Sequence, residues 1–241
     1  MDSSKYYKTR SSQSVGRSFY EREYWNSIDP DGVLRNLENE REKKLEECKE
    51  ELSYINNFNP GNILDVGCGL GFTLFGVNEN WNKYGVDISK WATKRAKKYG
   101  TIFCGNLQQA QYESDFFDVV IILHALSFLE NPINILLEIK RILKSDGKLI
   151  ITTPDYGCGV AKRFGINFRQ LHDKGHVNLF NLSGLIRLLI DLEFRIENIT
   201  FPYFDTIYFT KENLLRLFDT TKMSPPFYGN YMTIYSYKGR I

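Results

Sequence analysis

The run Ile63-Leu64-Asp65-Val66-Gly67-Cys68-Gly69-Leu70-Gly71-Phe72 narrows the folds open to this chain more than any other segment. A stretch with the character of a buried strand leads straight into three glycines at alternate positions. Gly67 and Gly69 permit a tight turn and leave no Cβ between backbone and ligand, while Gly71 lets the following helix pack closely. A nucleotide-like ligand is the natural occupant of such a turn, and the spacing selects among nucleotide folds. In the dinucleotide pattern G-x-G-x-x-G the third glycine position falls on Phe72, and there is no G-K-S/T of a phosphate-cradling loop. The pattern present is D-x-G-x-G-x-G.

Beyond the loop, short apolar runs alternate with helical patterns, which implies βαβ units and a mainly parallel sheet. Strands are predicted at 62–66, 83–87, 101–104, 117–123 and 147–153, and helices at about 70–79, 89–99, 132–143 and 183–192. Two more strands are predicted at 194–201 and 230–238. In the second, Tyr231, Thr233, Tyr235 and Tyr237 alternate with Met232, Ile234 and Ser236. A late hairpin sets one strand antiparallel at or near the sheet edge. The expected fold class is α/β, a Rossmann-like doubly wound sheet of seven mostly parallel strands with a late antiparallel strand, an N-terminal helical arm and substrate-cap insertions.

Residues 1–60 read as the arm and an amphipathic helix, and 61–241 as the domain proper. Leu34, Leu37, Leu45, Cys48, Leu52 and Ile55 recur at helical spacing among many charges, which reads as one helix with a solvated charged face. Asn59-Pro60-Gly61-Asn62 ends it. The stretches of about 155–182 and 202–229 fit no repeat, and long connections at strand ends are where substrate recognition concentrates. Most of the 17 Phe, 15 Tyr and three Trp are expected in the core. Tyr20, Tyr24, Trp25, Phe201, Tyr203, Phe204 and Tyr208 are candidates for the apolar walls of a pocket.

Charge and composition exclude several classes. Thirty-one Lys and Arg against 29 Asp and Glu leave +2, too little for a dedicated phosphate-backbone binder, so no nucleic-acid partner is expected. The longest apolar run, Val119 to Leu123, falls far short of the ~20 residues of a bilayer span. The N-terminus lacks a secretory pattern, so no membrane partner and a cytoplasmic location are expected. Four cysteines without a C-x-x-C pair fit reduced thiols rather than a disulfide frame or zinc site.

Several segments together carry a family likeness. The glycine string resembles motif I of class I S-adenosylmethionine-dependent methyltransferases. Asp87 closes Tyr84-Gly85-Val86-Asp87, twenty residues beyond Gly67, where a carboxylate can accept both ribose hydroxyls. Capping a helix that starts near Ser89 is its competing role. Asn106, in Gly105-Asn106-Leu107, stands where the family usually has an acid facing the adenine amine. It offers a neutral carbonyl there, or serves as a turn former. The segments Phe117-Asp118-Val119-Val120, His124-Ala125-Leu126-Ser127-Phe128, Arg141-Ile142-Leu143-Lys144 and Gly147-Lys148-Leu149 are similar to the F-D-x-V, H-x-L-E-H, R-x-L-K and G-x-L run of the small-molecule branch, which includes quinone, sugar and natural-product methyltransferases. Ser127 and Phe128 replace that branch's Glu and second His. The resemblance covers more than half of the chain. It implies S-adenosylmethionine as cofactor and S-adenosylhomocysteine as product, held by Asp65, Gly67, Cys68, Gly69, Gly71, Asp87, Ile88, Asn106, Leu107, Leu123 and His124.

Methyl transfer from a sulfonium is an in-line displacement with an activated leaving group, so the protein mainly aligns the acceptor and excludes water. A hydroxyl acceptor gains from a base. His176, in His172-Asp173-Lys174-Gly175-His176, matches a recurrent His of the branch and is the leading candidate, followed by His124. Asp155 is the third, with capping of a turn as its alternative. A metal on His172 and His176 is disfavoured, because Gly175 weakens the helix that their spacing requires. O-methylation of a small polar acceptor, sugar or natural-product-like, is the expected reaction. N- or C-methylation, a macromolecular acceptor, a non-catalytic cofactor-binding protein and an NAD-dependent oxidoreductase stay open, as does a homodimer.

Overall fold

The segment 117–123 is apolar at nearly every position because its strand is covered on both faces, as parallel strands are. A computed structural model, which describes residues 2–10, 16–28, 34, 36–201, 208–226 and 230–239, shows how. In chain order its described strands and α-helices are β1 (Tyr7–Thr9), α1 (Arg22–Trp25), α2 (Arg41–Glu47), α3 (Lys49–Asn56), β2 (Asn62–Val66), α4 (Phe72–Gly76), β3 (Asn82–Asp87), α5 (Lys90–Ala96), β4 (Thr101–Cys104), β5 (Phe117–Leu123), α6 (Pro132–Ile142), β6 (Leu143–Pro154), α7 (Gly159–Phe164), β7 (Asn178–Phe180), α8 (Leu182–Asp191), β8 (Phe194–Thr200), α9 (Lys211–Arg216) and β9 (Tyr231–Lys238).

Seven strands form one sheet in the order β4-β3-β2-β5-β6-β9-β8. β2 to β6 run parallel, and β9 runs antiparallel to both its neighbours. The late antiparallel strand therefore lies one place in from the edge, paired with β6 from Lys148↔Tyr237 to Pro154↔Tyr231. Side-chain alternation divides the strands between two cores. Leu64, Val120, Ile122, Leu149 and Ile151 meet α6 and α8 on one face. Ile63, Val119, Ile121 and Ile150 meet Leu52 and Ile55 of α3 on the other. With five parallel strands ending together, the loops after β2, β3, β4, β5 and β6 gather at one edge, where ligands of open α/β sheets bind.

The amphipathic helix expected from Leu34 to Ile55 is broken. Cys48, at φ −112° and ψ 22°, separates α2 from α3, and Leu34 is 68% exposed in an isolated bridge to Ile28. The helix expected at 70–79 shortens to α4, five residues long. The arm also holds a strand that periodicity did not predict: β1 pairs antiparallel with β7, from Tyr7↔Phe180 to Thr9↔Asn178. Tyr6 and Tyr7 are buried in the main core, and the Tyr6 hydroxyl donates to Asp191 at 2.8 Å. Among the described residues no helix is long and apolar enough to cross a membrane.

Gly184 of α8 makes the docking of the arm possible, since a Cβ there would stand 2.0 Å from the Tyr6 carbonyl oxygen. Gly184→Ala is expected to displace β1 and to destabilise the fold by about 1–3 kcal/mol, the usual effect of overpacking. Hydrogen exchange of the Tyr7–Thr9 amides reads the displacement, and unchanged protection there would refute this account of the anchor.

Candidate functional site

Backbone geometry gives the three loop glycines separate tasks. Gly67, Gly69 and Gly71 lie at φ +78°, +51° and +78°, a region that other residues enter only with strain. A Cβ on Gly67 would come within 2.5 Å of the Ala125 methyl, one on Gly69 within 2.6 Å of the Trp25 ring, and one on Gly71 within 3.0 Å of Ala96 in α5. The turn leaves donors that β2 cannot satisfy, and the end of β3 takes them. Gly67 and Cys68 donate their N–H groups to the Val86 carbonyl at 2.8 and 3.2 Å. The Asp87 carboxylate accepts the Gly69 N–H at 2.9 Å and the Ser89 N–H at 2.8 Å. Ser89 is the N-cap of α5, accepting from Ala92, so the capping role considered for Asp87 belongs to Ser89.

A cavity of about 550 Å³ opens at this edge of the sheet. Asp65 borders it from the end of β2, Gly67, Cys68 and Gly69 from the loop, Asp87 and Ile88 from the end of β3, Asn106 and Leu107 from the end of β4, and Leu123 and His124 from the end of β5. Gly71 lies off the wall and acts through helix packing. Asp155 is also off the wall: its Oδ1 accepts the Gly157 N–H at 2.8 Å and closes a turn. Asn106 and Gln109 cap one another, each side-chain oxygen accepting the other's N–H, at 2.9 and 3.0 Å. The wall as a whole suits a nucleoside. It combines a side-chain-free cradle at Gly67 and Gly69 with an anchored carboxylate that has about four acceptor sites, and with the apolar surface of Leu107.

Burial sets the electrostatics. Asp65 is almost fully enclosed, and desolvation pushes its carboxyl up to about 7, against the opposing pull of the Lys44 ammonium. Desolvation likewise holds the His124 imidazole well below its ordinary value, so the ring is neutral at pH 7. His124 adopts φ +61°, a conformation that costs about 1–3 kcal/mol and is retained where surrounding structure enforces it. Its N–H donates to the Thr152 carbonyl at 2.8 Å, and its ring meets Tyr231 edge-on at 4.9 Å.

His176 is buried and borders the same cavity. Its Nδ1 lies 3.1 Å from the Gln170 carbonyl oxygen. A carbonyl only accepts, so Nδ1 carries a proton, and whenever the ring is neutral its lone pair is on Nε2. The Tyr156 hydroxyl donates to that carbonyl at 3.3 Å, and the Gln170 side chain donates to the Tyr231 hydroxyl at 2.9 Å. Of the two residues that replace the branch's Glu and His, Ser127 shares a buried hydrogen bond with Thr153 at 2.9 Å, and Phe128 lies edge-on to His176 at 4.4 Å.

The arm completes the wall. Tyr20, Tyr24 and Trp25 border the cavity, and the first two meet Phe128 at 6.2 and 6.5 Å. Trp25 stacks on Trp91 at 6.2 Å. Glu21 accepts the first N–H groups of α5, from Lys90 at 3.1 Å and Trp91 at 3.0 Å. Neither contact had a signal in local periodicity. Tyr208 borders the cavity too, whereas Phe201 does not, and Tyr203 and Phe204 lie outside the described residues. The charge run is not a solvated face throughout: Glu40, Lys43, Lys44, Glu46 and Glu47 border the cavity, and the Tyr208 hydroxyl donates to Glu47. Arg169 and Gln170, buried on the opposite wall, are further site residues beyond those expected. His172 is outside the cavity, its Nε2 against the Ile166 carbonyl at 3.1 Å, and among the described residues no three metal-ligating side chains cluster.

A family model described as a methyltransferase domain matches residues 37–199. An uncharacterized protein of Methanocaldococcus jannaschii is 27% identical over 169 residues, covering 70% of this chain and 73% of the relative. Among solved structures, a chain from a complex between the Haloferax volcanii Trm112 methyltransferase activator and a methyltransferase aligns at TM-score 0.68 and 15% identity, over 85% of this chain and 93% of that one. Geranyl diphosphate C-methyltransferase of Streptomyces coelicolor A3(2), solved with Mg2+, geranyl diphosphate and S-adenosyl-L-homocysteine, aligns at TM-score 0.62 and 14% identity, over 94% and 100%. These two likenesses are of fold.

The raised Asp65 pKa has a signed consequence for stability. A carboxyl at about 7 in the fold and near 3.8 when unfolded stabilises the fold at low pH, and that contribution is lost as pH rises toward 7 and above. Asp65→Asn is expected to flatten the fall in Tm between pH 4 and 8 and to raise Tm at pH 8. Parallel Tm profiles for the two proteins would show that Asp65 does not titrate in this window.

Proposed function

Since the chain belongs to the methyltransferase-domain family matched over residues 37–199, we propose that it transfers a methyl group from S-adenosylmethionine to a small polar acceptor, a sugar or natural-product-like hydroxyl. One observation supports this reading most: the His176 imidazole, its tautomer set by the Gln170 carbonyl, shares a cavity with the glycine loop and Asp87.

The cofactor, when bound, supplies an activated sulfonium methyl group. Asp87 is assigned to the ribose diol, the loop from Gly67 to Gly69 to close backbone approach, and Asn106 with Leu107 to the adenine end. Tyr20, Tyr24, Trp25 and Phe128 cover the site and keep water from the reacting centre. Nε2 of His176 takes the proton of the acceptor hydroxyl. His124, neutral through burial, adds polarity to the wall without charge. The charged groups of α2 and the buried Arg169 face the same space, which favours a polar acceptor over a hydrocarbon. Transfer to carbon is the second reading. It is favoured by the aromatic faces of the arm, which can stabilise a developing cation, and by the fold shared with a geranyl diphosphate C-methyltransferase.

Calorimetry of the purified protein with S-adenosylmethionine, S-adenosylhomocysteine and NAD tests the cofactor. Binding of NAD alone would sink the proposal. Asp87→Ala is expected to weaken cofactor binding by about 1–3 kcal/mol through loss of charge-assisted hydrogen bonds. His176→Ala is expected to leave that affinity unchanged and to lower kcat by about 10²–10⁴ on a hydroxyl acceptor found by screening with methyl-labelled cofactor. A label recovered on carbon, with kcat indifferent to His176, would replace the first reading with the second.

A further inference from the structure

The cap beside the cavity exposes large apolar side chains that no packing requirement explains. Ile166 is 84% exposed, Phe218 79% and Leu215 59%. The helical turns of α9 continue past Arg216, with the Phe218 N–H on the Leu215 carbonyl at 3.1 Å and the Asp219 N–H on the Arg216 carbonyl at 3.3 Å. Lys211, Leu215 and Phe218 follow one another at intervals of four and three, so they share the outer side of these turns, and Lys222, exposed, lies just beyond them in the chain. The inner side is packed, with Leu217 against the cluster of Val160, Phe164 and Phe168. Ile166 is brought alongside by two hydrogen bonds, from Arg163 Nε to the Leu217 carbonyl and from Asn167 Nδ2 to the Thr220 carbonyl, both at 2.9 Å.

This apolar strip is bracketed by positive charge. Apart from Arg169, which is buried on the cavity wall, residues 156–182 and 208–226 hold six Lys and Arg against three Asp and Glu, with Lys222 paired to Asp219 at 3.2 Å. Lys162, Arg163, Lys211 and Lys222 are all exposed. An isolated exposed Leu is ordinary, but contiguous exposed apolar side chains rimmed by polar ones mark an interaction surface. The charge identifies its occupant. A nucleic acid would engage the basic side chains and leave Phe218, Leu215 and Ile166 in water, whereas an anionic bilayer takes both classes, the cations at its headgroups and the apolar tips at the headgroup–acyl boundary. We propose that this face of the cap is a peripheral docking surface for an anionic lipid membrane. It adjoins the cavity, because Phe209, itself 38% exposed, follows Tyr208 on the cavity wall.

The test is co-sedimentation of the full chain with vesicles of phosphatidylcholine, alone or with a quarter of phosphatidylglycerol. Binding is expected to the mixed vesicles only, and to fall as NaCl rises from about 0.1 to 0.5 M, where the Debye length shrinks to a few ångströms. The double substitution Leu215→Ser/Phe218→Ser is expected to weaken it at least tenfold, as is Lys211→Glu/Lys222→Glu. All four side chains project outward, so an unchanged Tm should confirm folding of both variants. Four results would overturn the proposal: no sedimentation with phosphatidylglycerol, equal sedimentation with neutral vesicles, binding indifferent to the serine substitutions, or a dimer that the serine substitutions dissociate in a protein that ignores vesicles. An RNA mobility shift lost on Lys→Glu but kept on the serine variant, without vesicle binding, would reassign the face to nucleic acid. None of these readouts depends on cofactor binding or turnover.

Discussion

The Asp87 carboxylate holds the cofactor side of this protein together. A strand that turns through three left-handed glycines strands its own N–H groups, and buried donors without partners are costly. β3 removes that cost because parallel pairing places Val66 opposite Val86, so the Val86 carbonyl and the Asp87 carboxylate arrive beneath the turn. The other Asp87 oxygen fixes the Ser89 N–H and with it the start of α5. The glycine string and the aspartate twenty residues later are thus one structural unit, and its geometry exists before any ligand arrives. Glu21 then closes the unit from outside by taking the next two N–H groups of α5, which ties the aromatic arm to the loop it covers.

The parts legible in the sequence are those whose causes are local. The segment from Phe117 to Leu123 is apolar at every position but Asp118 because its strand is buried on both faces, and the glycine pattern reports a backbone conformation that few other residues adopt. The pairing of β1 with β7 was not legible, because three residues of strand carry too little pattern and their partner lies some 170 positions away. The break at Cys48 was hidden because the apolar spacing continues through it, from Leu45 in α2 to Leu52 and Ile55 in α3. Asp155 has two readings in the sequence. A carboxylate after a strand is equally a reagent or a turn closer, and the second of these uses the Gly157 N–H, whose position local pattern does not give.

The charge run shows the same limit in another form. Periodicity tells which side of a helix is apolar, but it does not tell whether the polar side meets bulk water or a cavity. Here α2 lies over the cavity, and Lys44 opposes the effect of burial on Asp65 while adding to it at His124. A single ammonium thus favours the ionised form of the carboxyl and the neutral form of the imidazole. Charges on an amphipathic helix are therefore part of the site's electrostatics when the helix covers a sheet edge, and the sequence alone cannot separate that case from solvation.

The Gln170 carbonyl and the Phe128 ring both bear on the imidazole of His176. A carboxylate partner orients a histidine and also stabilises its cation, whereas a backbone carbonyl fixes the tautomer without lending a negative charge. In this protein the Gln170 carbonyl fixes the tautomer and the Phe128 ring packs at 4.4 Å, while the hydroxyl of Ser127 is bonded to Thr153. A buried Glu at 127 would put a charge where Ser127 shares a hydrogen bond with Thr153, and a second His at 128 would put a polar edge where Tyr20 and Tyr24 close the wall. The two substitutions are consistent with each other for that reason. Together they place a hydroxyl that pairs inside the sheet and an aromatic ring that packs against the imidazole beside the cavity.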